Sequence, residues 1–91
     1  MKKIFVYILH SESANRFYIG QTDNLTERIS RHNSGYERST KSYVPWKLVC
    51  CVEKNIRGDA MILEKKLKNL NSEDLKKFVL KYSNGIVGRE A

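Results

Sequence analysis

The sequence predicts an α+β fold: a three-stranded antiparallel sheet flanked by helices, in the order β-hairpin, helix, strand, helix, helix. Two observations carry that expectation. The stretches Ile4–Leu9, Phe17–Gly20 and Trp46–Val52 are rich in branched and aromatic residues, as strands are, and the first two lie close enough to form a hairpin. Segments 25–33, 57–70 and 72–82 instead repeat apolar residues at helical spacing. A small sheet covered by helices buries all of these stripes.

Ile4–Leu9 is almost wholly apolar, which predicts a central strand covered on both faces. With Ser11–Ala14 as the loop, His10 pairs with Asn15 and Tyr7 stands directly opposite Tyr18 on one face of the sheet. Gly20 stops the second strand. Asn24, with Glu27 three residues later, forms a capping-box pattern for a helix from Leu25 to about Asn33, ended by Ser34-Gly35. Its apolar stripe is Leu25, Ile29 and His32, and Arg28 shares a face with His32. Residues 34–45 form a polar loop, long for so small a domain and for that reason a candidate for function. In the third strand, strict alternation places Trp46, Leu48, Cys50 and Val52 on one face. The second helix buries Ala60, Leu63, Leu67 and Leu70; the third, capped by Asn71 or Ser72, buries Leu75, Phe78, Val79 and Tyr82. Residues 1–83 read as a single domain, and 84–91, with Gly85 and Gly88, as an irregular tail.

Composition narrows the class of protein. With 41% hydrophobic and 30% charged residues among 91, the chain has the makeup of a soluble globular domain rather than a disordered one. The net charge of +7 favours polyanionic partners, nucleic acid first. Between Arg28 and Lys47 the only acid is Glu37, against Arg28, Arg31, Arg38, Lys41 and Lys47. Tyr36, Tyr43 and Trp46 are interleaved there, a pattern suited to phosphate contacts beside rings that stack on bases. Arg31, Arg38, Lys41 and Lys47 are therefore the candidate nucleic-acid-binding residues. Cys50 and Cys51, being adjacent, point to opposite faces of a strand and neither bridge nor share a metal. Two inert thiols suit a reducing compartment. No run reaches the ~20 apolar residues of a membrane span, and the apolar stretch near the start is too short for a secretory signal. The expected location is the cytoplasm.

Element order and residues together resemble the GIY-YIG nuclease superfamily, in particular its small single-domain bacterial members. The resemblance runs from about Ile4 to Leu70: a tyrosine on the first strand, Tyr18-Ile19-Gly20 on the second, Asn24-Leu25, Arg28 with His32, Trp46-Lys47-Leu48-Val49, and Glu64 on the next helix. Phe5-Val6-Tyr7 stands where Gly-Ile-Tyr gives the family its name, and Gln21 where some members carry a basic residue. The resemblance implies a divalent-metal-dependent endonuclease, with DNA as partner, RNA left open, and a role in repair or in processing branched or damaged DNA. By position, Tyr7, Tyr18, Arg28 and His32 match the catalytic residues and Glu64 the ligand of Mg²⁺ or Mn²⁺. No small-molecule cofactor is implied. The alternative is a non-catalytic nucleic-acid-binding module on the same scaffold.

The implied chemistry is coherent. Phosphodiester hydrolysis needs a deprotonated nucleophile and neutralised charge at a phosphorane-like transition state. Free tyrosine titrates near ~10, and a nearby cation such as Arg28 favours its phenolate. One tyrosine is the general base and the other an orienting partner; the sequence leaves open which. Each residue also has a structural reading: strand tyrosines, a core histidine, and a surface pair between Glu64 and Lys68, worth ~0.3–0.5 kcal/mol. The five side chains must converge on one concave spot that admits a phosphate.

Overall fold

β1 (Ile4–Ser11) is the spine of the molecule, paired on one side with β2 (Arg16–Thr22) and on the other with β3 (Trp46–Lys54). Both pairings are antiparallel, so the sheet order is β2-β1-β3 with the apolar strand in the middle. α1 (Leu25–Asn33), α2 (Arg57–Lys68) and α3 (Ser72–Glu90) complete the α+β fold expected from the sequence, and residues Lys41–Tyr43 make one short 3-10 turn. The structure, a computed structural model, describes residues 3–90, with side chains as far as Tyr82. The backbone of α3 runs to Glu90, through the stretch expected to be irregular because glycine disfavours helix interiors by about 1 kcal/mol. The side chains of 83–90 lie outside the described residues, as does residue 91.

Two apolar cores lie on the two faces of β1. On one, Ile4, Val6 and Ile8 pack with Ile19, Cys50, Ala60, Leu67 and Leu75, so α2 and α3 cover this face. On the other, Tyr7, Leu9 and Trp46 pack with Tyr18, Leu25, Ile29, Tyr43 and Leu48, under α1 and the 34–45 loop. Burial pushes the Cys50 thiol up to about 11, consistent with an unreactive core cysteine, and Cys51 lies with the opposite cluster. Among the described residues no helix is long and apolar enough to cross a membrane.

Two details of register differ from the expectation. Ser11 pairs with Arg16, so the hairpin loop is Glu12–Asn15, closed by Asn15 at φ +50°, a left-handed conformation that asparagine tolerates. Tyr7 therefore faces Gly20, and Tyr18 faces Leu9. The tyrosines share a face as diagonal neighbours rather than as a direct pair. In β3, Ile8 faces Cys50 but Leu9 faces Leu48, leaving Val49 as an extra residue. This bulge breaks the alternation: Trp46 and Leu48 stay on the Tyr7 face, while Cys50 and Val52 join the α2 side.

α1 starts where the sequence places it. The Asn24 side chain accepts from the Glu27 N–H at 3.2 Å and donates to the Glu27 carboxylate at 3.3 Å. The Asn24 N–H goes to Thr22 Oγ1 at 3.1 Å instead of to Glu27, so Thr22 completes the cap. Ser34 and Gly35 (φ +85°) end the helix. Asn71 caps α3, accepting from the Asp74 N–H at 2.8 Å.

Candidate functional site

The site begins with the contact between Tyr7 and Gly20. A Cβ at position 20 would stand 2.6 Å from Tyr7 Oη and 3.1 Å from Tyr18 Cε1, so the glycine leaves the space through which the Tyr7 phenol passes. The two tyrosine rings stack with centroids 6.2 Å apart, and the Tyr18 ring lies 4.5 Å from that of His32.

α1 presents His32 and Arg28 to these rings from one face. Neither Tyr7 nor His32 has any exposed surface. A chain of hydrogen bonds satisfies them: Tyr7 Oη to His32 Nε2 at 3.1 Å, His32 Nδ1 to Thr40 Oγ1 at 3.0 Å, and the Thr40 hydroxyl donating to the Glu37 carbonyl at 3.4 Å. One direction serves every donor. Thr40 gives its proton to the carbonyl, His32 donates from Nδ1 to Thr40, and Tyr7 donates to the free Nε2. Burial pushes the His32 pKa below its ordinary value, and the charges of Arg28 and Arg31 push the same way. For Tyr7, burial raises the phenol; the hydrogen bond and charge of Arg28 oppose it without reversing it.

Arg28 is the half-open member of the cluster. Its Nε is buried without a hydrogen-bond partner among the described residues, and its nearest acid, Glu37, stands 3.6 Å away and is shared with Arg31 at 3.5 Å. A buried donor left unpaired costs about 1–3 kcal/mol, so an unpaired guanidinium nitrogen marks a place where an acceptor belongs.

Glu64 reaches this cluster around the edge of the sheet rather than across its face. α2 packs on the opposite side from Tyr7, but Gln21, next to Gly20 on edge strand β2, donates to Glu64 Oε1 at 2.7 Å. The Glu64 charge is felt at Tyr7, where it helps raise the phenol. Burial raises the Glu64 pKa, while hydrogen bonds from Lys68 and Gln21 bring the net displacement downward, keeping the carboxylate ionised. Lys68 Nζ is 2.7 Å from Oε2, so the surface pair read from the sequence also exists. Among the described residues no three His, Cys, Asp or Glu side chains gather as a metal-binding group. A lone, ionised, part-buried carboxylate fits a hard cation that keeps most of its waters, Mg²⁺ or Mn²⁺, and not a caged zinc.

The basic and aromatic residues of the long loop divide. Trp46 is buried, its indole N–H donating to the Thr40 carbonyl at 2.9 Å. Asn33 clamps the Trp46 backbone through both its N–H (2.6 Å) and its carbonyl (3.1 Å). Tyr43 packs on Trp46 under the Arg16 guanidinium. These two rings belong to the core and are not a stacking platform, because the loop folds inward around Thr40; Tyr36 stays 80% exposed. Arg31, Arg38 and Lys41 are exposed on the α1 side, whereas Lys47, opposite His10, leaves from the other face of the sheet. Thr40, Asn33 and Gln21, which hold the site's residues in place, had no signal in the sequence beyond their polarity, except that Gln21 follows the motif glycine.

The buried His32 gives one test. Its folded pKa lies below the unfolded value of about 6.5, so its contribution to stability is whole above that value and is lost as pH falls towards the folded one. Denaturant midpoints are expected to drop on acidification below about pH 6.5, and His32→Gln, which keeps a donor and an acceptor but does not titrate, to flatten that drop. An equal acid slope in both proteins removes His32 as its source.

A tyrosine-lined hairpin, an arginine-bearing helix and an edge carboxylate define the class, a small α+β catalytic domain of the nuclease type. The chain belongs to the GIY-YIG family: the GIY-YIG catalytic domain matches residues 3–78. It is 38% identical over 65 residues, 70% of its length, to the UPF0213 protein YsiG of Lactococcus lactis subsp. lactis (strain IL1403), spanning 62% of that relative, less than two thirds. It is similar also to the UPF0213 protein BH0048 of Bacillus halodurans, solved by solution NMR, with a TM-score of 0.56 and 28% identity, covering 85% of this chain and 82% of that one.

Proposed function

We propose that this protein is a divalent-metal-dependent endonuclease that hydrolyses phosphodiester bonds in DNA. The observation that carries the reading is Arg28, a guanidinium with a buried, unpaired Nε, fixed against two tyrosines at the sheet edge where Glu64 is held ionised.

Burial divides the tyrosines. Tyr18 is partly exposed, so its phenol is the one a substrate water reaches, and it acts as the general base. Tyr7 and His32 are positioning residues: Tyr7 holds Arg28 charged through their hydrogen bond, and His32 holds Tyr7. Arg28 binds the scissile phosphate and balances the charge that builds on it. Glu64 would hold Mg²⁺ or Mn²⁺, which when bound supplies further positive charge at that phosphate. Arg31, Arg38 and Lys41 line the approach on the α1 side; Lys47 contacts a strand only if it wraps to the other face.

The second reading, a non-catalytic nucleic-acid-binding module, has one observation in its favour: Lys68 already neutralises Glu64. Supercoiled, linear and branched DNA incubated with Mg²⁺, Mn²⁺ or chelator separates the two. Nicking that requires the metal, strongest on branched substrates if the role is in repair, is the expected result. Salt-sensitive binding with no cleavage under either metal would establish the module instead.

A further inference from the structure

Beyond the tyrosine cluster, an open cleft of about 600 Å³ lies between β2 and α2, with Glu64 in its wall. Three cations, Arg57, Lys65 and Lys68, surround that carboxylate, which is the only acid lining the cleft. The cations are arranged rather than scattered. Gln21 accepts from Arg57 Nη1 at 3.1 Å while donating to Glu64, so a single amide fixes both the guanidinium and the carboxylate. Lys68 is committed to Glu64, and Lys65 has no ion pair among the described residues. The excess of positive charge therefore rests on Arg57 and Lys65.

We propose that this cleft is a second phosphate subsite, which seats a backbone phosphate of the DNA strand beyond the scissile one on Arg57 and Lys65. The proposal rests on the nuclease reading above for the placement of the scissile phosphate at Arg28. A strand crossing the β2 edge at Gly20 and Gln21 runs onto this surface, which is open along its length, as a polymer requires. Met61 is the one apolar side chain lining the cleft, so it offers charge to a backbone and no ring on which a base stacks. Recognition here is independent of sequence.

The test measures binding, not turnover. Anisotropy of a labelled DNA duplex is followed across a salt series with chelator present, for the wild type, Arg57→Gln, Lys65→Gln and the double variant. All substituted positions are exposed, so the fold is retained. The double variant is expected to bind about tenfold more weakly, with its salt slope reduced by nearly two phosphate contacts at ~0.9 each. Lys77→Gln removes the same charge from α3, which packs against β3 at the far edge of the sheet, and is expected to change affinity less than about twofold. A double variant with wild-type affinity and slope overturns the subsite, as does a loss matched by Lys77→Gln, which reflects net charge alone. Either result leaves metal-dependent cleavage untouched. Absence of cleavage by the wild type beside an intact binding defect counts against the nuclease assignment and not against the cleft.

Discussion

Arg28→Ala is expected to lower metal-dependent cleavage by about 10³-fold or more, because preorganised cationic contacts in phosphoryl transfer are worth about that much. Stability should change by no more than about 1 kcal/mol. The guanidinium makes only a long, partly exposed pair with Glu37, and its removal also removes an unpaired buried nitrogen. Arg28→Lys should recover little, since an ammonium does not reproduce the planar fork that grips a phosphate. Glu64→Ala is expected to match the loss and to release Gln21 and Lys68 from their shared partner. Single-turnover cleavage beside thermal melts checks all three. Nicking by Arg28→Ala and Glu64→Ala at the wild-type rate would take catalysis away from this site.

Gly20→Ala should damage both fold and activity. The added carbon meets Tyr7 Oη at 2.6 Å and Tyr7 Cζ at 2.8 Å, and Tyr7, without exposed surface and bonded to His32, has no room to retreat. Overpacking of this kind costs about 1–3 kcal/mol, and a displacement near 1 Å at a reacting centre costs about 10²-fold in rate. Combining Gly20→Ala with Tyr7→Phe removes the nearest clashing atom, so the pair should be more stable than the sum of the single effects and still inactive. Strict additivity in denaturant unfolding would show that the clash is relieved elsewhere.

The strands and helices were legible because their signals are local: an unbroken apolar run for β1, a capping asparagine for α1, helical stripes for α2 and α3. What was not legible depends on how segments meet. The hairpin register turned on a left-handed Asn15, which the same sequence accommodates in more than one loop length. The bulge at Val49 falls in Val49-Cys50-Cys51-Val52, where no polar residue marks which side faces out. Tyr7, Tyr18, Arg28, His32 and Glu64 were singled out by the motif, but their division into a buried layer and an open one was not. Neither was the route of Glu64 around the edge, since sequence spacing carries no information about which helix lies on which face. Thr40 was hidden for a different reason: a threonine among serines in a polar loop gives no hint that it sits beneath a histidine.

The two cores on either side of β1 should differ in how freely they can drift. On the α2 and α3 side, Ile4, Val6, Ile8 and their neighbours are aliphatic, and volume-conserving exchanges there cost less than about 1.5 kcal/mol. On the other side the packing and the reactive groups are the same atoms, since Tyr7 and His32 fill space and also hold Arg28 in place. Divergent copies of this domain can therefore be rebuilt from one face, while the opposite face tolerates only changes that preserve its chemistry.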